Sequence, residues 1–345
     1  MSELFSPLTL RGLTVRNRIV MSPMAMYSAG EDGIAVDFHL VHYGARAVGG
    51  AGLLIQEVTS VEPQGRIGLG DLGLWDDAQV PSLKRIVEFV HAQGAKMGVQ
   101  LGHSGRKSWS AAKGHGPTPV VGPSALAFDA GWAVPRALTE PELSGIVATF
   151  QAAAKRALAV GYDVVEVHAA HGYLLHQFLS PLSNQRTDSY GGSLVNRARL
   201  LRRVVQSVRA VWPMDKPLFV RVSASDWTPG GLDISDTVQI ARWLRDDGVD
   251  LLDCSSGGNV PAMPPTGPGY QVPFAHQVRK ETGLPTGAVG LITTPELAEE
   301  IVRNQRADLV ILARELLRSP QWPLYAAKQL GVDLEWPVQY RRAKV

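Results

Sequence analysis

Eight short apolar segments recur along this chain, and their spacing limits the fold more than any other feature. They run from Ile19 to Met24, Gly52 to Val58, Lys96 to Leu101, Val164 to His168, Leu218 to Ser223, Asp250 to Ser255, Pro285 to Val289 and Asp308 to Ala313. Runs such as Leu53-Leu54-Ile55 are too continuous for a strand with one wet face. They read as strands of a parallel sheet covered on both sides. Helical stretches separate them. Thr139-Glu140-Pro141-Glu142 forms a capping box ahead of Leu143, Ile146, Val147 and Phe150, which share one face. Thr294-Pro295 places a cap before a proline at the first helical position. Ser193 to Val211 and Asp236 to Leu244 have helical periodicity, and Gly94, Gly161 and Gly248 suit helix ends.

Eight strand–helix units without a linker predict an α/β chain closed into a single (β/α)8 TIM barrel, one domain over residues 1–345. Leu8-Thr9-Leu10 and Leu13-Thr14-Val15 predict an N-terminal hairpin capping the bottom of the barrel. The connection 102–138, after the third strand, is long, rich in Gly, Pro and Ser, and holds Trp109, Phe128 and Trp132. Loops of this length are usually functional or disordered, and in a barrel this one is expected to cap the top.

Charge and cysteine content narrow the function. Lys and Arg total 34 against 32 Asp and Glu, a formal charge of +2 with no concentrated basic face, so no nucleic-acid partner is expected. The single cysteine, Cys254, allows no intrachain disulfide and no four-cysteine cluster from one chain. No run approaches the ~20 apolar residues that span a bilayer. Met1-Ser2-Glu3-Leu4-Phe5 lacks the signature of a secretory leader, so the expectation is a cytoplasmic protein without a membrane partner.

In such barrels the chemistry gathers at the C-terminal ends of the strands. Those ends supply Ser22, Pro23, Met24, Ala25 and Tyr27; Val58; Gln100, His103 and Arg106; His168, His171 and Tyr173; Arg221; Ser255 to Gly258; Gly287 to Gly290; and Ala313-Arg314. His168 and His171 suit metal ligands, acid–base groups, structural hydrogen bonds, or a pair of neutral donors gripping a substrate oxygen. A metal needs a third ligand, and nearby His176 falls in a stretch that reads as helical. Arg221 suits an ion pair with Glu166 or Asp226, or a fixed cation beside a cofactor ring. Gln100 offers both a donor and an acceptor. Met24 suits core packing, and Tyr27 and Tyr173 suit proton donors or pocket walls. Gly290 and the Ala313-Arg314 turn suit a phosphate, or simply tight turns.

At these residues the chain resembles the Old Yellow Enzyme family of flavin-dependent ene-reductases, in particular its bacterial thermophilic-like or xenobiotic-reductase branch. The resemblance covers essentially the whole chain. It is carried by Asn17-Arg18-Ile19-Val20-Met21-Ser22-Pro23-Met24, by His168-Ala169-Ala170-His171-Gly172-Tyr173-Leu174, by Asn184 to Ser193, and by Gly287-Ala288-Val289-Gly290. It implies noncovalent FMN, with NAD(P)H as co-substrate and NADPH favoured. It implies ring contacts from Ser22, Pro23, Met24, Gln100 and Arg221, with Ala25 and Val58 beside them. Gly290, Ala313 and Arg314 would hold the phosphate. His168 and His171 would bind the oxygen of a small activated alkene, Tyr173 would deliver the proton, and Tyr27 would line the pocket. The reaction implied is ping-pong reduction of the C=C bond. Gln339-Tyr340-Arg341-Arg342 matches a tail that reaches a neighbouring subunit's site, so a homodimer or a tetramer made from dimers is expected, with Arg342 as the reaching residue.

Three positions depart from the branch. Ala25 stands where cysteine is usual, Val58 where alanine is common, and Ala313 where glycine precedes the arginine. Other readings are a dienoyl-CoA-reductase-like flavoprotein, which the single cysteine opposes, a dihydroorotate dehydrogenase, which lacks the histidine pair, and a non-catalytic FMN-binding protein. An aldolase-type barrel would need a fixed lysine, and Lys107 and Lys113 fall in the long loop, a poor place for one.

Overall fold

Residues 2–111 and 114–344 are described by a computed structural model. A hairpin opens the chain: β1 (Leu8–Leu10) pairs antiparallel with β2 (Leu13–Val15). The eight expected strands follow as β3 (Ile19–Met21), β4 (Leu53–Ser60) and β5 (Lys96–Gly102), then, after four short strands of the capping loop, the remaining five. The short ones are β6 (Trp109–Ser110), β7 (Gly114–His115), β8 (Val121–Gly122) and β9 (Arg136–Ala137). The five are β10 (Val164–Ala169), β11 (Leu218–Ser223), β12 (Leu251–Ser255), β13 (Thr286–Ala288) and β14 (Leu309–Leu312). All eight long strands pair in parallel, and β14 closes on β3, giving the TIM barrel expected from the spacing.

The helices pack outside. They include α1 (Asp37–Val48), α2 (Val80–Ala92), α3 (Glu140–Val160) and α4 (Leu174–Leu179). The capping box at Thr139 and Glu142 is formed, and Gly161 ends α3 at φ 100°, a left-handed conformation that glycine adopts without strain. The stretch Ser193 to Val211 is not one helix. It is α5 (Leu194–Arg197) and α6 (Arg199–Arg209), jointed at Ala198, and the apolar periodicity runs across the joint without a break to betray it.

Alternation along the barrel strands sorts the interior into layers. Residues of one parity face the helices, such as Val165 and Val167 of β10. Those of the other parity point inward. At the bottom the inward residues are apolar: Val20, Leu53, Val164, Phe219 and Leu251 cluster with Leu13 and Val15 of the hairpin, which caps that end. Two residues further along the same faces stand Gln100, Glu166, Arg221 and Asp253, all buried. Two further still come Gly102, His168, Ser223 and Ser255. The barrel thus passes from a dry base through an ionic layer to a polar rim.

The capping loop is more ordered than its composition suggests. β6 and β7 form a small hairpin, and β8 pairs in parallel with β9. Two-residue strands carry no periodicity, so the sequence cannot announce them. Trp132 bridges Trp109 and Phe128 with ring centroids at 5.2 and 4.7 Å. Lys113 lies outside the described residues. Among the described residues, no helix is long and apolar enough to cross a membrane.

Candidate active site

The rim is built by strand ends that reach one another across the barrel mouth. β10 delivers His168, and the turn after it delivers His171 and Tyr173. The two imidazoles lie 5.2 Å apart at 78°, and the Tyr173 ring is 5.1 Å from His168. His168 Nδ1 accepts the Ala170 backbone N–H at 3.3 Å. That assigns the ring proton to Nε2. His171 Nε2 meets Ser255 Oγ at 2.7 Å. Each histidine therefore keeps one ring nitrogen without a protein hydrogen bond among the described residues.

The electrostatics keep this pair neutral. Burial, and next the charge of Arg221, hold both imidazoles well below the usual histidine range. Burial also raises the phenols of Tyr173 and Tyr27, so both remain protonated at neutral pH. His176, the sequence's possible third ligand, is instead in α4 and pairs with Asp226 at 3.0 Å. His103 pairs with Glu62 at 2.9 Å. Neither is available to complete a metal site with His168 and His171.

Arg221 is fixed by neighbours the sequence did not identify. Its Nε lies 3.2 Å from Asp253 Oδ2, and Nη1 donates to Ser22 Oγ at 3.0 Å. The sequence offered Glu166 or Asp226 as partner. The parallel register places Arg221 directly beside Asp253, which decides the matter. Glu166 instead accepts from Gln100 Nε2 at 2.8 Å. Burial raises the pKa of both Glu166 and Asp253, which share the ionic layer under the rim.

A groove of about 230 Å³ continues from Arg221 and Ser255 to Gly290, Ala313, Arg314 and Arg318. Gly290 sits at φ 122°, and a Cβ there would come within 3.1 Å of Gln271 Nε2 and the Tyr270 ring. Ala313 has φ −100°, outside the left-handed region, so alanine fits where glycine was the expectation. Val58 is accommodated by Gly102, whose absent Cβ would lie 2.5 Å from Val58 Cγ2. Pro23, Met24, Ala25 and Tyr27 follow β3, half-buried, with Met24 packed on the main core. Arg342 is in the exposed turn Val338–Ala343, not among these residues.

Three residues beyond the expected set belong to the site. Ser223 Oγ accepts the His171 backbone N–H at 2.9 Å. Glu57 Oε2 accepts the Met26 N–H at 2.7 Å, and Glu57 Oε1 accepts the Tyr43 hydroxyl at 3.0 Å. Lys107, dismissed by its place in a loop, is held by two carbonyls and largely buried. The inward parity of β11 pointed to Ser223; nothing local marked the other two.

The comparisons agree with this geometry. Residues 3–333 match the model of the NADH:flavin oxidoreductase / NADH oxidase family. An NADPH dehydrogenase of Listeria monocytogenes serotype 4a (strain HCC23) is 53% identical over 344 residues, 99% of each chain. The solved structure of morphinone reductase superposes with a TM-score of 0.82 at 31% identity, covering 97% of this chain and 91% of that one. A 2-naphthoyl-CoA reductase complex superposes at 0.88 with 26% identity; the match covers 96% of this chain but only 52% of that one.

Proposed function

This chain belongs to the NADH:flavin oxidoreductase / NADH oxidase family, the Old Yellow Enzyme family of flavin-dependent ene-reductases, and from that premise we propose how its residues divide the work. It is an oxidoreductase using FMN and NAD(P)H. A 53% identical relative named NADPH dehydrogenase supports NADPH as the donor. The substrate class is a small activated alkene: an enone, enal, maleimide or nitroalkene.

The chain's own groups fit FMN. The groove is lined by Arg314 and Arg318 as well as Arg221, and at Gly290 a Cβ would crowd Tyr270 and Gln271 at 3.1 Å. Guanidinium groups suit a phosphate, and a fixed cation such as Arg221 suits a ring that gains negative charge. Ser22, Pro23, Met24, Ala25, Val58 and Gln100 would contact the ring, and Gly290, Ala313 and Arg314 the phosphate. When bound, FMN supplies hydride chemistry: a hydride taken from NAD(P)H and given from N5 to the β-carbon of the alkene.

His168 and His171 hold the oxygen conjugated to that alkene. Negative charge grows on this oxygen as hydride reaches the β-carbon, and two fixed neutral donors stabilise it. Neutral imidazoles suit the task because they donate without needing an acidic solution. Tyr173 gives its phenolic proton to the α-carbon, and Tyr27 walls the pocket. The observation that carries this reading is the pair itself: two imidazoles 5.2 Å apart, each with a ring nitrogen that has no protein hydrogen bond among the described residues.

The test is reoxidation of the reduced enzyme by cyclohex-2-enone. His171→Ala should slow it roughly 100- to 1000-fold, the usual effect of removing one oxyanion donor. An unchanged rate, or a parent rate abolished by chelators, would contradict the assignment.

A further inference from the structure

His171 occupies an unfavourable backbone conformation. Its φ is 58°, in the left-handed region that is unfavourable for a residue with a side chain. Such a conformation persists only where the surroundings enforce it. Two contacts do so. Ser223 Oγ accepts the His171 N–H at 2.9 Å, and Lys107 Nζ donates to the His171 carbonyl at 2.8 Å.

The lysine does more than satisfy one carbonyl. The same nitrogen donates to Gly258 O at 2.7 Å. His171-Gly172 follows β10 and Gly257-Gly258 follows β12, and the two backbones pack unusually close. A Cβ on Gly172 would lie 2.1 Å from Gly258 O, and one on Gly258 would lie 2.8 Å from His171 Cα. Ser223 clamps this contact from below, donating to Gly257 O at 2.8 Å while accepting from His171 N. Lys107 clamps it from above. Without the ammonium, two carbonyl dipoles would converge with nothing between them.

Lys107 is itself held by the capping loop. Its ammonium lies 4.3 Å from the Phe128 ring centroid and 5.4 Å from that of Tyr173. Phe128 belongs to the aromatic cluster with Trp132 and Trp109. Burial and then the neighbouring Arg106 lower the lysine pKa to about 8, so it is still an ammonium at neutral pH. One cation therefore joins the loop, the His171 backbone and the end of β12.

We propose that Lys107 is a positioning residue for the reduction of the alkene: by bridging His171 O and Gly258 O it fixes the backbone that aims the His171 ring. The inference rests on the reading that His171 holds the substrate oxygen. It assigns no contact between Lys107 and substrate. Charge-assisted hydrogen bonds from a buried ammonium are strong enough for such a role.

A double-mutant cycle tests it. Lys107→Met keeps the apolar stem and removes the donors. It should slow reoxidation by cyclohex-2-enone roughly 10- to 100-fold, the factor carried by one charge-assisted hydrogen bond. In the His171→Ala background the same substitution should change the rate less than about 3-fold, because the ring it positions is gone. Hydrogen exchange of the His171 amide, read on the peptide that carries it, should quicken in Lys107→Met. If that variant does not fold, Lys107→Gln, which keeps a neutral NH2 donor group and loses the charge, replaces it and should show a smaller slowing of the same kind. Equal slowing in both backgrounds would mean that Lys107 acts on substrate directly and would overturn the proposal. So would an unchanged rate with unchanged exchange. A normal rate in His171→Ala alone would overturn the oxygen-holding reading itself, a result distinguishable from failure of the lysine variant only.

Discussion

Arg221 crosses the barrel mouth to Ser22: its Nη1 donates to Ser22 Oγ at 3.0 Å, although the two lie on the fifth and first strands of the barrel, on opposite walls. The contact needs the guanidinium to be aimed, and Asp253 aims it from the adjacent strand at 3.2 Å. Removing the arginine would leave a wholly buried carboxylate without its cation. Arg221→Met should therefore release FMN on dilution and lower stability by about 3 kcal/mol. Adding Asp253→Asn should restore much of the stability and none of the FMN retention. Denaturant midpoints and bound-flavin absorbance measure the two effects separately. Restoration of both, or of neither, would show that Arg221 serves the fold and the cofactor through one indivisible contact.

Tyr173 stands against His168 with its phenol held protonated by burial. Tyr173→Phe keeps that ring contact and loses the proton. The variant should bind an enone as tightly as the parent and reoxidise about 10- to 100-fold more slowly, within the range of general acid catalysis. Single-turnover rates over a range of enone concentrations separate binding from turnover. A parent-like limiting rate would assign the proton to solvent or to Tyr27.

The barrel and its polar rim were legible because their causes are local. Apolar runs of strand length, capping boxes and residues just beyond each strand are written in consecutive letters. His168, Gln100 and Arg221 fell on the inward face simply by alternation. What escaped depended on which strands lie side by side. Asp253 pairs with Arg221 because the β11–β12 register sets them level, and no spacing in the sequence states that register. Lys107 looked like a loop residue because its partners, His171 O and Gly258 O, are backbone atoms 64 and 151 residues away. Tyr325 shares the last helix with Trp322 and Leu324, which are buried, yet it is itself 55% exposed, and its apolar character alone does not separate the three.

Glu57 offers a pH test of a buried contact. Its carboxylate binds the Met26 N–H, and so steadies the segment that carries Ala25 and Tyr27. Burial pushes its pKa up from 4.5 to about 7. A carboxyl whose folded pKa is raised binds its proton more tightly when folded. The stability this contributes is complete in acid and is lost as pH rises from about 4.5 through about 7. Glu57→Gln removes the ionisation while keeping an acceptor. Relative to the parent, the variant should thus gain roughly 2–3 kcal/mol between pH 5 and pH 8. Asp71, also raised to about 7 by burial, is present in both proteins and largely cancels. Melting curves at the two pH values decide the point; a constant difference would mean that Glu57 ionises as freely in the fold as outside it.

Assembly is the remaining expectation, and one face of the chain supports it. Phe38 and Val41 of α1 are 47% and 70% exposed, and Tyr325 beyond them is 55% exposed. Leu40, Val41, Phe89, Tyr325 and Tyr340 line one apolar depression, with Tyr340 supplied by the same tail that carries Arg342. Apolar side chains gathered in one patch are the usual core of a self-association surface. A second copy covering this patch would draw the tail along with it, and the Arg342 guanidinium could then add its charge to a site it does not reach within its own chain. Light scattering should give a dimer or a dimer of dimers. Val41→Asp should shift that mass toward the monomer. Arg342→Ala should leave the mass unchanged and raise the enone KM roughly 10-fold, about 1.5 kcal/mol for a lost hydrogen bond with a charged group. A monomeric parent would refute the assembly. A dimer whose kinetics ignore Arg342→Ala would keep the interface and remove the arginine from the shared site.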